Sequence, residues 1–128
     1  MKIYIIDDDI DIVNALTASL KAAGYQVGSQ NEEDELVEKI TRFNPDLIIL
    51  DVMFPEDRGA GFRMARTIRH QEQFNRIPII MLSAVNQEGE FLCKFSSRDI
   101  DEIYLPVTEF LEKPVDPAIL IARIKKLT

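Results

Sequence analysis

Ile3-Tyr4-Ile5-Ile6 runs into Asp7-Asp8-Asp9, Leu47-Ile48-Ile49-Leu50 runs into Asp51, and Ile79-Ile80-Met81-Leu82 runs into Ser83. A weaker run, Phe110-Leu111, leads through Glu112 into Lys113-Pro114. Short apolar runs without polar alternation are the mark of strands covered on both faces, as in a parallel sheet flanked by helices. If these runs are neighbouring parallel strands, their carboxyl ends lie along one edge. Acids, a hydroxyl and an ammonium then converge there, a grouping that packing alone does not require.

The segments between the runs carry helical spacing. Ile12, Leu16 and Leu20 recur on one face of a helix expected over 10–23, and Gly24 stands where the residue after a helix end belongs. Tyr25 to Val27 reads as a short second strand. Asn31 is placed to cap a helix whose inner face is Leu36, Ile40 and Phe43, with Glu32, Glu33 and Asp34 in its first turn. Asn44-Pro45 breaks that helix before the strand over 46–50. A loop containing Pro55, Gly59 and Gly61 precedes a helix from about Phe62 to His70. The stretch 86–107 is the least patterned; helices are expected near 88–95 and 98–104. Asp116-Pro117 reads as N-cap and first residue of a last helix with Leu120, Ile124 and Leu127 inward. Five strands alternating with about five helices predict an α/β doubly wound parallel sheet, since right-handed crossovers set helices on both faces.

The 128 residues suit one domain, expected over 1–128 with no output domain appended. A formal charge of −7 without a basic stripe argues against direct nucleic-acid binding. Arg123, Lys125 and Lys126 are better read as balancing the dipole of the terminal helix. Cys93 is the only cysteine, so neither an internal disulfide nor a thiolate metal cluster is available. The apolar runs are too short for a signal core or membrane insertion, and the cytoplasm is the expected location.

In open α/β sheets, ligands bind beyond the carboxyl ends of the strands. No glycine-rich fingerprint follows the first strand, which argues against a dinucleotide site. Acids stand there instead. Clustered carboxylates repel one another unless a cation sits among them, and oxygen-only donors favour a hard ion such as Mg²⁺. Asp7, Asp8 and Asp51 meet that requirement. Asp51, alone at the end of its buried strand, is the candidate nucleophile for an acyl phosphate. Lys113 and the Ser83 hydroxyl would then face phosphoryl oxygens. Each has a plainer reading by itself: a helix start for the acid triplet, a turn residue, a loop hydroxyl and a surface lysine. Their joint placement favours the site.

The segments "IYIIDDD", "PDLIILDVMFP", "IPIIMLSA" and "FLEKPVDP" make the chain resemble the receiver domain of two-component response regulators over nearly its full length. The resemblance implies a flavodoxin-like five-stranded sheet of order 2-1-3-4-5. It implies that Asp51 accepts a phosphoryl group from a sensor histidine kinase or phosphotransfer protein. Asp7 and Asp8 would bind the essential Mg²⁺ with Asp51, and the backbone carbonyl of Met53 would be a further ligand. Lys113 would pair with the phosphoryl group, Ser83 would hydrogen-bond to it, and a cis peptide would precede Pro114. Phe110 falls where the family carries a Tyr or Phe whose rotamer follows phosphorylation; without a hydroxyl it can switch only by packing. Such a protein is a phosphoacceptor switch and not a turnover enzyme, acting on a downstream protein target that the sequence does not name.

Three departures qualify the likeness. Two extra residues lie between Pro55 and Gly61. The span from Ser83 to Lys113 is several residues long for the family, with Ile103 to Thr108 in place of the usual small residues. Met53 and Val85, two residues after Asp51 and Ser83, offer no side-chain group to orient an attacking water, which predicts slow loss of the phosphoryl group. The alternative is a receiver-like interaction module that does not depend on phosphorylation. An aspartate-based phosphatase is a poor reading, because Met53 stands where such enzymes place a second acid.

Overall fold

A computed structural model describes residues 1–51, 59–84, 109–113 and 115–128, with the backbone alone at 83, 84, 110 and 112. The elements are β1 (Lys2–Ile6), α1 (Ile10–Ala22), β2 (Gln26–Gln30), α2 (Leu36–Phe43), β3 (Leu47–Asp51), α3 (Ala60–His70), a single 3-10 turn (Glu72–Phe74), β4 (Ile79–Ala84), β5 (Glu109–Lys113) and α4 (Pro117–Leu127). The helices expected near 88–95 and 98–104, the Pro55 loop, Cys93 and Pro114 lie outside the described residues.

The strands pair in parallel, in the order β2-β1-β3-β4-β5. This is the α/β parallel-sheet architecture expected from the sequence. Ile3, Ile5, Leu47, Ile49, Ile80 and Leu82 bury one face of the sheet against α1 and α4. Tyr4, Ile6, Ile48, Leu50, Ile79 and Met81 bury the other against α2 and α3. Strands apolar on both sides can sit only in such a three-layer sandwich, because either face exposed would leave several large side chains in water.

The helix ends follow the sequence in most places. Asp9 caps α1, its Oδ1 accepting from the N–H groups of Asp11 at 3.0 Å and Ile12 at 3.3 Å. Gly24, after the α1 C-cap Ala23, takes φ +96°, a left-handed conformation suited to glycine. Asp116 caps α4, accepting from the Ala118 N–H at 2.9 Å, with Pro117 opening the helix.

Three expectations need correction. The second strand is not 25–27 but runs to Gln30, because residues 26–30 follow β1 in register from Lys2↔Gln26 to Ile6↔Gln30. Asn31 does not cap α2, and Glu32, Glu33 and Asp34 are not its first turn. The helix starts at Leu36 after Glu35, which sits at φ +53° and supplies no side-chain cap. The buried Gln30 amide donates to the carbonyls of Glu32 at 2.5 Å and Asp34 at 3.4 Å, which holds the segment in a turn. Finally, α3 begins at Ala60 instead of Phe62; Ala60 and Gly61 are buried, so these small residues allow close packing of the helix start.

Candidate functional site

The strand ends bring the acids together by register. Ile6 pairs with Leu50, so the next residue on each strand is Asp7 and Asp51. Asp51 lies opposite Leu82, which sets Ser83 one step further along the same edge, and Ala84 pairs with Lys113. Lys113 reaches from β5 back across the edge. Its Nζ lies 3.0 Å from Asp51 Oδ1, as a donated hydrogen bond, and 3.0 Å from Asp7 Oδ2. A four-carbon stem lets one ammonium span both carboxylates.

The three consecutive acids have separate tasks. Asp7 is only 1% exposed, and its Oδ1 accepts the Asp9 N–H at 2.9 Å. Asp8 is more open to solvent. Asp9 is spent on capping α1, so a helix-start role explains one residue of the triplet and leaves the other two. Carboxylate oxygens of Asp7, Asp8 and Asp51 all lie within 4.8 Å of one another.

Electrostatics in this cluster are unbalanced. Burial pushes the Asp7 carboxyl above the usual carboxylate range, and the nearby Asp8 charge adds to that; the Asp9 N–H and Lys113 oppose it without cancelling it. Burial also works against the Lys113 ammonium, but the attraction of Asp51 and then Asp7 outweighs it and raises the Lys113 pKa. The two directions are compatible: Lys113 stays protonated, yet one ammonium does not make the burial of Asp7 free. Asp7 Oδ2 shows the shortfall directly. It is fully buried and within ion-pair distance of Lys113, but receives no aligned hydrogen bond. An all-oxygen cluster with such an atom fits a hard divalent cation such as Mg²⁺.

Of the residues singled out in the sequence, Asp7, Asp8, Asp51 and Lys113 thus meet at one point. Ser83 contributes its backbone position on the same edge; its side chain, Met53 and Val85 lie outside the described residues, as does the side chain of Phe110. The sequence reading passed over Gln30. This residue is buried, its carbonyl accepts the Asp7 N–H at 3.2 Å, and its side-chain oxygen accepts the Tyr4 hydroxyl at 2.7 Å. The available signal was a glutamine at the end of a strand next to a run containing one tyrosine, too common a pattern to stand out.

A family model described as the response regulator receiver domain matches residues 3–125. The transcriptional regulatory protein GltR of Pseudomonas aeruginosa is 34% identical over 98% of the chain and 48% of its own length. The alkaline phosphatase synthesis transcriptional regulatory protein PhoP of Bacillus subtilis is 30% identical, again over 98% of the chain and 48% of its own length. The chain therefore spans about half the length of these curated relatives. Among solved structures, the chemotaxis response regulator CheY4 of Vibrio cholerae superposes with a TM-score of 0.79 at 27% identity, covering 99% of the chain and 98% of that one. A parallel sheet whose edge gathers three acids around one lysine, and a family match over almost every residue, lead to one conclusion: the chain belongs to the response regulator receiver domain family.

Proposed function

We propose that this chain is a phosphoacceptor switch in which Asp51 takes a phosphoryl group from a histidine kinase or a phosphotransfer protein, with residues 1–128 forming one receiver domain on a five-stranded doubly wound sheet. The observation that carries the reading is the Lys113 ammonium 3.0 Å from both Asp51 and Asp7, inside a cluster of three carboxylates. A lysine held there neutralises negative charge where a phosphoryl group would arrive.

Asp7, Asp8 and Asp51 would hold Mg²⁺ together with the Met53 carbonyl. When bound, the ion supplies charge neutralisation and orientation for the phosphoryl oxygens. The chain's own residues do the rest. An Asp51 carboxylate oxygen forms the new O–P bond while the N–P bond of the donor phosphohistidine breaks. The imidazole leaves with the electron pair and takes up a proton. Lys113 is positioned to follow the transferred charge, and the Ser83 hydroxyl to bond a phosphoryl oxygen. Because Met53 and Val85 cannot orient a water, the acyl phosphate is expected to persist for longer than seconds. Phe110 would carry the response by packing.

Beside Lys113 lies an apolar hollow lined by Ile12, Ala15, Leu16, Val115 and Pro117. Ile10 and Ile119 are 57% and 51% exposed. A protein donor that covered this hollow while delivering to Asp51 would bury apolar area, which would favour docking. GltR and PhoP are named transcriptional regulatory proteins, and a downstream protein target is the output proposed for this chain.

The test is incubation with Mg²⁺ and acetyl phosphate, followed by intact-mass analysis. One base-labile phosphate, absent in Asp51→Asn and without added metal, is expected. Modification that survives Asp51→Asn would contradict the assignment. No modification from either acetyl phosphate or a purified kinase would favour an interaction module independent of phosphate.

A further inference from the structure

Gln30 and Tyr4 form a buried polar pair in the layer between the sheet and α2, where an apolar pair would pack as well. The Tyr4 hydroxyl donates to Gln30 Oε1 at 2.7 Å, and the Gln30 amide donates to the carbonyls of Glu32 and Asp34 at 2.5 and 3.4 Å. Gln30 is 7% exposed and Tyr4 4%. Burying such groups is unfavourable unless each is bonded, and here the side-chain oxygen and nitrogen of Gln30 both are. The same residue touches the acid cluster through its backbone, since the Asp7 N–H donates to the Gln30 carbonyl at 3.2 Å. The far side of the turn is also held: Glu33 makes a two-pronged contact with Arg63 on α3, at 2.9 and 2.6 Å.

We propose that the Tyr4–Gln30 pair is a positioning element for the acid cluster. It pins the end of β2 and the 31–35 turn, so that the Gln30 carbonyl holds the Asp7 peptide where its carboxylate faces Asp8, Asp51 and Lys113. Asp7 is the first residue beyond β1, and this backbone bond extends the β1–β2 ladder one step past Ile6↔Gln30. Without the side-chain pin the end of β2 is an edge strand followed by a turn containing a left-handed Glu35, held on its far side by the Glu33–Arg63 contact. The inference rests on the cluster being the metal and phosphoryl site described above.

The double variant Tyr4→Phe, Gln30→Met separates positioning from packing. It removes the Tyr4–Gln30 bond at both ends while keeping shape, together with the Gln30 amide that donates to the Glu32 and Asp34 carbonyls. Two readouts are taken on the folded protein: Mg²⁺ dissociation constant by titration calorimetry, and amide hydrogen exchange at Asp7 relative to Ile49 in the central strand. Positioning requires that the Asp7 amide exchange faster, by about tenfold, and that Mg²⁺ bind more weakly, by about three- to tenfold, at the low end of what outer contacts contribute at metal sites. Unchanged Asp7 exchange and unchanged Mg²⁺ affinity in a stable double variant would overturn the proposal, leaving the pair a packing feature. Should the double variant not fold, Tyr4→Phe alone carries the same comparison with a smaller shift in the same direction. A wild-type protein that binds no Mg²⁺ would instead refute the site itself, whatever the exchange data show.

Discussion

Replacing Lys113 by Met is the most searching test of the cluster's electrostatics. The ammonium sits between Asp7 and Asp51, whose side chains are 1% and 4% exposed, and is itself 17% exposed. Methionine keeps the apolar stem and deletes only the charge. Removing one partner of a buried ion pair costs about 3–5 kcal/mol, because the remaining charge is left without compensation. Protonation limits that loss. Neutralising a carboxyl of ordinary pKa at neutral pH costs about 1.4 kcal/mol per unit over about three units, or about 4 kcal/mol. Asp7 starts above the ordinary range, so its neutralisation costs less. A loss of about 2–4 kcal/mol follows from these two bounds. Urea unfolding followed by circular dichroism, in EDTA at about pH 7, measures it. The pH dependence has a definite sign. In the variant, loss of the ammonium removes an attraction that lowers the already raised Asp7 pKa. The folded chain then binds more protons than the unfolded one as the pH falls through that pKa, which stabilises the folded state and narrows the deficit. In the wild type the Lys113 pKa is raised, so its contribution is complete at neutral pH and fades only as the pH climbs past its folded value. Mg²⁺ should also stabilise the variant more than the wild type, since ammonium and metal draw on the same carboxylate oxygens. A deficit below about 1 kcal/mol, typical of exposed pairs, would refute the reasoning. So would a deficit that does not change between neutral and mildly acidic pH.

Other substitutions test single contacts. Gly28→Ala places a methyl 2.8 and 2.9 Å from Phe43 ring carbons and 3.1 Å from the Tyr4 ring, so it should destabilise by about 1–3 kcal/mol in urea unfolding, with Phe43→Leu restoring part of the loss. Asp9→Ala removes the α1 cap and should cost about 1 kcal/mol while leaving Mg²⁺ affinity close to wild type by calorimetry, unlike Asp8→Ala, which should weaken it. Glu35→Gly relieves a left-handed residue strained by about 1–2 kcal/mol against a glycine entropy cost of about 0.5–1, so a gain of about 0.5 kcal/mol is expected in the same unfolding assay.

How much of this was legible in the sequence depended on whether an element is buried on both faces. Ile3–Ile6, Leu47–Leu50 and Ile79–Leu82 declare themselves because a central parallel strand must be apolar at every position. Asp7 and Asp51 stand out against them for the same reason, so their meeting at one sheet edge was legible in the sequence. The edge strand β2 has the sequence Gln26-Val27-Gly28-Ser29-Gln30, without a period and with Val27 as its one strong strand former. It is held by β1 and by Gly28 making room for Phe43, both tertiary effects invisible to local pattern. The start of α2 misled for a different reason. Asn31 followed by acids is a sound capping pattern, but the Gln30 amide bonds the carbonyls of Glu32 and Asp34 in a turn, and the other side of Gln30 bonds Tyr4, 26 residues earlier, a contact local pattern does not show. Gly61 suggested a loop by its low helix propensity, whereas in the fold its small size is what a buried helix start requires.

The same physics that makes the strands legible also sets the character of the site. Positions inside β1, β3 and β4 tolerate no charge, so the first residues able to carry one are those where the strands leave the sheet. Asp7 and Asp51 stand at that boundary and are still almost fully buried, at 1% and 3% exposure. Lys113 contacts both, and the cluster of Asp7, Asp8, Asp51 and Lys113 sets three carboxylates against one ammonium. A fold optimised only for stability would replace one of these acids, because a buried charge without full compensation is among the costlier features a core can carry. On the proposed function the imbalance would have a purpose: a divalent cation would relieve the excess negative charge, and a phosphoryl group on Asp51 would restore it within reach of Lys113. Each arrival would then change the electrostatic energy of the same few atoms, and Lys113, already 3.0 Å from both Asp7 and Asp51, is the group placed to respond.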